Sequence, residues 1–142
     1  MEILAIVAHE LGHWAHMDIL KGMASSLIRI YVIFFAFSYS LEYTNMPADF
    51  GFKDKSVYVS LMLFFMLLEP LMEVLSIQQV AMVRRMEFNA DKYSIEKGYG
   101  LALRDGLIAI HVNNQANLNP DWLYALLKFD HPALIERLTA ID

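Results

Sequence analysis

The 142-residue chain contains no cysteine, which excludes both a disulfide framework and a thiolate metal site. Positive charge is also scarce. Eleven Lys and Arg face sixteen Asp and Glu for a net charge of −5, and with no basic run to track a phosphate backbone the composition argues against nucleic acid as a partner. Neither repeats nor low-complexity tracts are present, and no cleavable signal pattern precedes the first apolar residues. What the chain has in excess is apolar surface: 57% of its residues are hydrophobic, against about 45–50% in an average soluble domain.

His9-Glu10-Leu11-Gly12-His13 is the densest chemical signal in the chain. On a helix, residues four apart share a face, so His9 and His13 can hold one zinc ion while Glu10 reaches the water between metal and substrate. The flanking Ile3, Leu4, Ile6, Val7, Leu11 and Trp14 suit a largely buried helix, in which such polar groups need a purpose. A metzincin would place a further histidine where Ile19 stands. His16 falls near the same face, but three ligands stacked along one straight helix do not converge on one ion. Glu87-Phe88-Asn89-Ala90-Asp91 is the better source of a third ligand, because its two carboxylates lie four residues apart in a segment free of helix breakers from Leu71 to Lys97. Glu87 would complete a His-His-Glu set with one position left open, and Asp91 would accept a hydrogen bond from a ligating histidine. The competing reading is a solvated, salt-bridged face built from Arg84, Arg85, Glu87, Asp91, Lys92, Glu96 and Lys97.

Met23 to Leu41 has Arg29 as its only charge and, at about 1.5 Å per residue, spans about 28 Å, close to the thickness of a bilayer core. Ser56 to Leu68 is uncharged, and the run continues through Glu69, Pro70 and Glu73 to Val83, giving a second span. Its acidic pair is expected to face protein or a water-filled cavity, with Pro70 kinking the helix between them. Buried helices of a soluble protein are the alternative for both runs. Between them, Glu42 to Lys55 carries Asn45, Pro47, Asp49, Gly51 and Asp54 and reads as a loop that returns the chain across the membrane, leaving both metal-ligand segments on one side. Lys21, Arg84 and Arg85 on that side are nearly balanced by Lys53 and Lys55 in the loop, so charge does not fix the orientation.

After Gly98 the pattern predicts an amphipathic helix over Leu101–Gln115, a turn at Asn117–Pro120, and a short helix capped by Asp121 that runs through Phe129. A last helix opens at His131-Pro132 and carries Glu136 and Arg137. His131 is either a helix-opening residue without chemistry or a donor to an oxyanion. His111, without a motif partner, reads as structural. Phe34, Phe35, Met62, Phe64, Phe65 and Met66 read as core or lipid-facing residues, or as the lining of an apolar chamber. The expected class is all-α and membrane-integral. It comprises a first helix over 2–20, spans over 23–41 and 56–83, a helix over 84–97 and a helical region over 101–142, forming one catalytic domain over 1–142.

In order and spacing, His9-Glu10-Leu11-Gly12-His13-Trp14, Phe50-Gly51-Phe52, Pro70, Glu73-Val74-Leu75-Ser76, Arg84 through Asp91, Asn119 through Leu123, His131-Pro132 and Glu136-Arg137-Leu138 resemble the catalytic C-terminal part of the type I CAAX prenyl proteases. Asp130 stands where that family tends to have serine, Ala133 replaces a frequent second proline, and Asn89 stands where glutamine is common. The resemblance implies one zinc per chain on His9, His13 and Glu87, with Glu10 as general base and His131 and Arg137 facing the cleft, where either could steady an oxyanion. It also implies removal of the last three residues of prenylated CAAX proteins, in the endoplasmic reticulum membrane with the catalytic side towards the cytosol. The family carries further membrane helices ahead of its zinc motif, so the chain is expected to be part of a larger helical ring around a chamber. Two alternatives are an inactive membrane fragment that binds metal or a partner, and a different membrane zinc protease. A site-2-type protease fits poorly, because Asn119-Pro120-Asp121-Trp122 lacks that class's continuation.

Overall fold

The computed structural model of the chain describes residues 1–43, 45–53, 56–115, 117, 120–129 and 131–142. Lys55 and Asp54 of the expected loop, Asn119 of the Asn-Pro element and Asp130 before His131 lie outside the described residues. The described residues form α1 (Glu2–Ala15), α2 (Asp18–Glu42), α3 (Met46–Asp49), α4 (Val57–Glu96), α5 (Gly100–Asn113), α6 (Trp122–Lys128) and α7 (Leu134–Ile141), with no strand among them. They group into two compact units, one of residues 1–22 and 77–142, the other of residues 23–76.

In the first unit α1 buries Ala5, Ala8, His9 and Gly12, the i, i+3, i+4, i+7 stripe of an amphipathic helix. The rest of α1 is not buried as its apolar sequence suggests: Ile3, Leu4, Val7, Leu11 and Trp14 are exposed, because only one side of the helix meets a partner. That side packs on the second half of α4 so closely that a Cβ on Gly12 would lie 2.9 Å from the Ala90 Cα and 3.2 Å from its carbonyl oxygen. The Ser94 hydroxyl, fully buried, donates to the Ala5 carbonyl at 3.0 Å across the same seam. Ala5, Leu103, Leu107 and Leu134 form the core behind it, packed on by Leu138 and Ile141.

The first helix ends at Ala15 rather than near residue 20. Met17 adopts φ 55°, a left-handed conformation that costs a non-glycine residue roughly 1–2 kcal/mol and breaks the helix. α2 then restarts at Asp18. By contrast, the expected boundary between the second span and the Glu87 helix is absent: α4 runs unbroken from Val57 to Glu96 with Pro70 inside it. It stops in a Schellman arrangement in which Gly98, at φ 86°, donates to the Ile95 carbonyl at 2.9 Å and Tyr99 donates to that of Ser94 at 3.1 Å. The last helix begins at Leu134 and leaves Pro132 outside, because the Glu136 carboxylate reaches back to the Ala133 N–H at 2.9 Å and makes Ala133 the N-cap.

In the second unit, α2 and the first half of α4 supply two helices long and apolar enough to cross a membrane. Phe37 meets Phe64 edge to face at 5.2 Å between centroids, while Leu27, Phe34, Phe35, Phe65 and Met66 are exposed. Glu69 and Glu73 are also exposed within this unit. The connecting segment is not a plain loop, since it contains α3, followed by Gly51 at φ 84°.

The Gly12 contact generates a direct test. Gly12→Ala should lower stability by about 1–3 kcal/mol, the cost of over-packing, because backbone lies opposite the new methyl group. Gly22→Ala, with nothing within 4 Å of its new Cβ, should be neutral or stabilising. Unfolding midpoints in detergent compare the two, and equal midpoints would contradict the close helix crossing.

Candidate active site

The close approach at Gly12 carries His9 and His13 to the face of α4 that presents Glu87 and Asp91. Both imidazoles are held by carboxylates at Nδ1. His9 Nδ1 lies 2.9 Å from Asp91 Oδ1, and His13 Nδ1 lies 3.0 Å from Asp18 Oδ2. With the Nδ1 protons donated to these acids, each Nε2 keeps its lone pair free and directs it at Glu87, at 3.6 Å from His9 and 3.5 Å from His13.

These three residues fit a metal ion. Their ligating atoms all lie within 4.8 Å of one another. Nitrogen and oxygen donors at about 2.1 Å from a tetrahedral metal would stand about 3.4 Å apart, close to the two distances above. Charge points the same way, because among the described residues Arg137 is the one buried Lys or Arg beside the Glu87 and Asp91 carboxylates and leaves a negative charge in excess.

Asp18 is the functional candidate that spacing did not reveal. It is only 5% exposed, and it reaches His13 because the left-handed Met17 turns the chain at the end of α1. Lys21 pairs with its other oxygen at 3.0 Å. Asp18 and Asp91 both lie outside the apolar segments 23–41 and 56–83. Burial pushes both carboxyls up, yet each is held below its ordinary value of 3.8: Asp18 by hydrogen bonds from His13 and Lys21, Asp91 by those from His9 and Arg137. Each thus stays an anionic acceptor.

Arg137 is 6% exposed and fully engaged. Its Nε and Nη2 donate to the two Asp91 oxygens at 2.8 and 2.6 Å, and its Nη1 lies 3.3 Å from Glu87 Oε2. Its Nη2 is also 3.5 Å from His9 Nδ1, but that nitrogen's shorter contact with Asp91 decides where its proton points. One residue earlier, Glu136 takes two hydrogen bonds from Arg84 Nη2, both at 2.8 Å, so α7 is tied to α4 at two adjacent positions. His131 differs from Arg137: its side chain is 61% exposed, with Nδ1 3.0 Å from Glu87 Oε1.

A cavity of about 510 Å³ opens over this set, and Glu10, itself exposed, lines it together with His9, His13, Glu87, His131 and Arg137. His16 stands apart, bonded through Nδ1 to the Gly12 carbonyl at 2.8 Å and edge-on to Tyr93. His111, expected to be structural, lines the cavity from α5.

Residues 1–142 match the family description Peptidase family M48. The chain is 33% identical over 141 residues to the CAAX prenyl protease 1 homolog of Arabidopsis thaliana, covering 99% of this chain and 33% of that protein. It is likewise 33% identical over 142 residues to the homolog of Homo sapiens, covering 99% of this chain and 30% of that one. The crystal structure of S. mikatae Ste24p superposes with a TM-score of 0.85 at 31% identity, over 99% of this chain and 36% of that chain. The chain thus spans about a third of the length of the curated relatives it matches.

If His9, His13 and Glu87 hold a metal ion, Asp18→Ala and Asp91→Ala should each weaken its binding by roughly 10–100-fold without abolishing it, as loss of a carboxylate behind a ligating imidazole does. Glu87→Ala should lose stoichiometric metal altogether, with zinc as the probe. Chelator competition and elemental analysis measure these effects. Full occupancy without Glu87 would remove it from the donor set, and an unchanged affinity without Asp91 would leave that residue only as the partner of Arg137.

Proposed function

The chain belongs to peptidase family M48, and on that premise we propose that it works as a zinc-dependent endopeptidase of the membrane that releases the C-terminal tripeptide from prenylated CAAX proteins. The observation that carries the reading is the convergence of two carboxylate-anchored imidazoles and Glu87 beneath a cavity lined by Glu10. The substrate class comes from the relatives, which are named CAAX prenyl proteases. The two helices of membrane-spanning length and composition suit a substrate whose lipid chain keeps it at the bilayer, and they would bring α2 and α4 into contact with lipid. We further propose the endoplasmic reticulum membrane as the working location, with the cavity towards the cytosol.

His9, His13 and Glu87 would hold one zinc ion per chain, which when bound supplies Lewis acidity towards water and towards the scissile carbonyl. The protein's own residues do the rest. Glu10, exposed in the cavity, accepts the proton of the attacking water and returns it to the departing amine. Asp91 and Asp18 keep both imidazoles in the tautomer with Nε2 free. His131 has the accessibility to donate to the oxyanion, whereas the Arg137 guanidinium is spent on Asp91 and Glu87, so we assign His131 the contact with substrate and Arg137 the positioning of Asp91.

Glu10→Gln separates chemistry from binding. The variant should keep one zinc per chain and lose tripeptide release from a farnesylated peptide by at least about 100-fold, because an amide cannot take the proton. Release at near the wild-type rate would rule Glu10 out as the base.

A further inference from the structure

α5 contributes a wall of the catalytic cavity through Leu103, Leu107, Ile110, His111 and Asn114. Most of that wall is apolar, but its last turn is not. His111 Nδ1 donates to the Leu107 carbonyl at 2.9 Å, which fixes the ring and leaves Nε2 as its unused nitrogen. Asn114, the C-cap residue just past α5, lines the same cavity and carries no side-chain hydrogen bond among the described residues. Of the other groups in the cavity able to donate to an anion, Arg137 is engaged with Asp91 and Glu87, and His131, beside Glu87, has the oxyanion role proposed above. His111 and Asn114 are thus polar groups of the cavity with capacity to spare.

We propose that His111 and Asn114 form the subsite for the free C-terminal carboxylate of the peptide being cut, which makes them specificity-determining residues. The inference rests on the tripeptide-releasing activity proposed above, since only a cleavage near the chain end brings a carboxylate into this cavity. Glu10 and Glu87 repel that carboxylate from the metal-binding end, and α5 presents no acid among its lining residues. Three extended residues reach about 10 Å beyond the scissile bond. The α5 lining from Leu107 to Asn114 extends about 10 Å at 1.5 Å per residue, which matches that reach. Ile110, exposed on this wall above the buried Leu107, offers apolar surface to the aliphatic side chains on the way. At the end, the Asn114 amide donates directly to the carboxylate, and His111, after taking one proton from solvent at Nε2, donates to it as an imidazolium.

The test uses the full-length protein in proteoliposomes and two farnesylated peptides that differ only in a free or an amidated C-terminus. The wild type should prefer the free acid by about tenfold in kcat/KM, mostly through KM, as one charge-assisted hydrogen bond provides. His111→Leu and Asn114→Leu should each move that preference towards one, with zinc content by elemental analysis reporting that the site is still built. A wild-type preference near one, or a preference that survives in both variants, would overturn the subsite while leaving the peptidase reading intact. Failure of the wild type to cleave either peptide would sink the peptidase reading and take the subsite with it.

Discussion

Glu87 and Asp91 stand one helical turn apart at 4% and 2% exposure, and a pair of carboxylates taken that far from water must be compensated or protonated. Asp91 is matched by the forked guanidinium of Arg137 and by the His9 ring; Glu87 receives His131 and the remaining Arg137 nitrogen. These contacts come from three separate stretches of chain, so the positions of α1, α4 and α7 follow from the need to neutralise one patch of α4. The Gly12 seam serves the same end, because only a residue without a side chain lets α1 come near enough for His9 to reach Asp91. Breaking a buried pair of this kind typically costs about 3–5 kcal/mol. The site and the fold of this unit are therefore held by largely the same bonds.

How much of this is legible in the sequence depends on whether an interaction lies within one helix or between several. His9 with His13 and Glu87 with Asp91 are i, i+4 pairs, and on a helix that spacing by itself declares a shared face. The helical class and the two apolar runs are legible for a similar reason, since length and composition suffice. Asp18 is not, because its contact with His13 depends on a positive φ at Met17, a residue type that gives no hint of a left-handed turn. His111 reads as a histidine without a partner, and only the packing of α5 against α1 turns it towards the cavity. The apolar flanks of His9 mislead in another way. Hydrophobicity on all sides of α1 suggests burial, yet within this chain only the Ala5–Gly12 stripe is covered.

α4 shows why periodicity reads poorly in a membrane-type helix. Its first half is apolar on several sides, with Phe65 and Met66 exposed while Leu63, Phe64 and Leu68 are buried, so no single stripe marks an inner face. Its second half is an ordinary amphipathic helix carrying Glu87, Asp91 and Ser94 inward. One continuous helix thus serves two environments. The end of an apolar run at Val83 does not interrupt the backbone hydrogen bonds, so it is no reason for a boundary.

The two arginines on and opposite α7 carry the remaining argument. Arg84 to Glu136 and Asp91 to Arg137 cross-link neighbouring residues of α7 to positions two turns apart on α4, with the direction of charge reversed between the two bridges. A helix as short as Leu134–Ile141 has little stability of its own. Reversal matters for its register: a shift of one residue in one direction would set Glu136 towards Asp91, and in the other would set Arg137 towards Arg84, so either shift replaces an attraction by a like-charge contact and loses the second bridge. The same register puts the Glu136 carboxylate on the Ala133 N–H and so fixes where the chain leaves His131 and Pro132. His131 reaches Glu87 while its ring stays mostly exposed, and a group that is held in place yet accessible is what donation to a transient oxyanion requires.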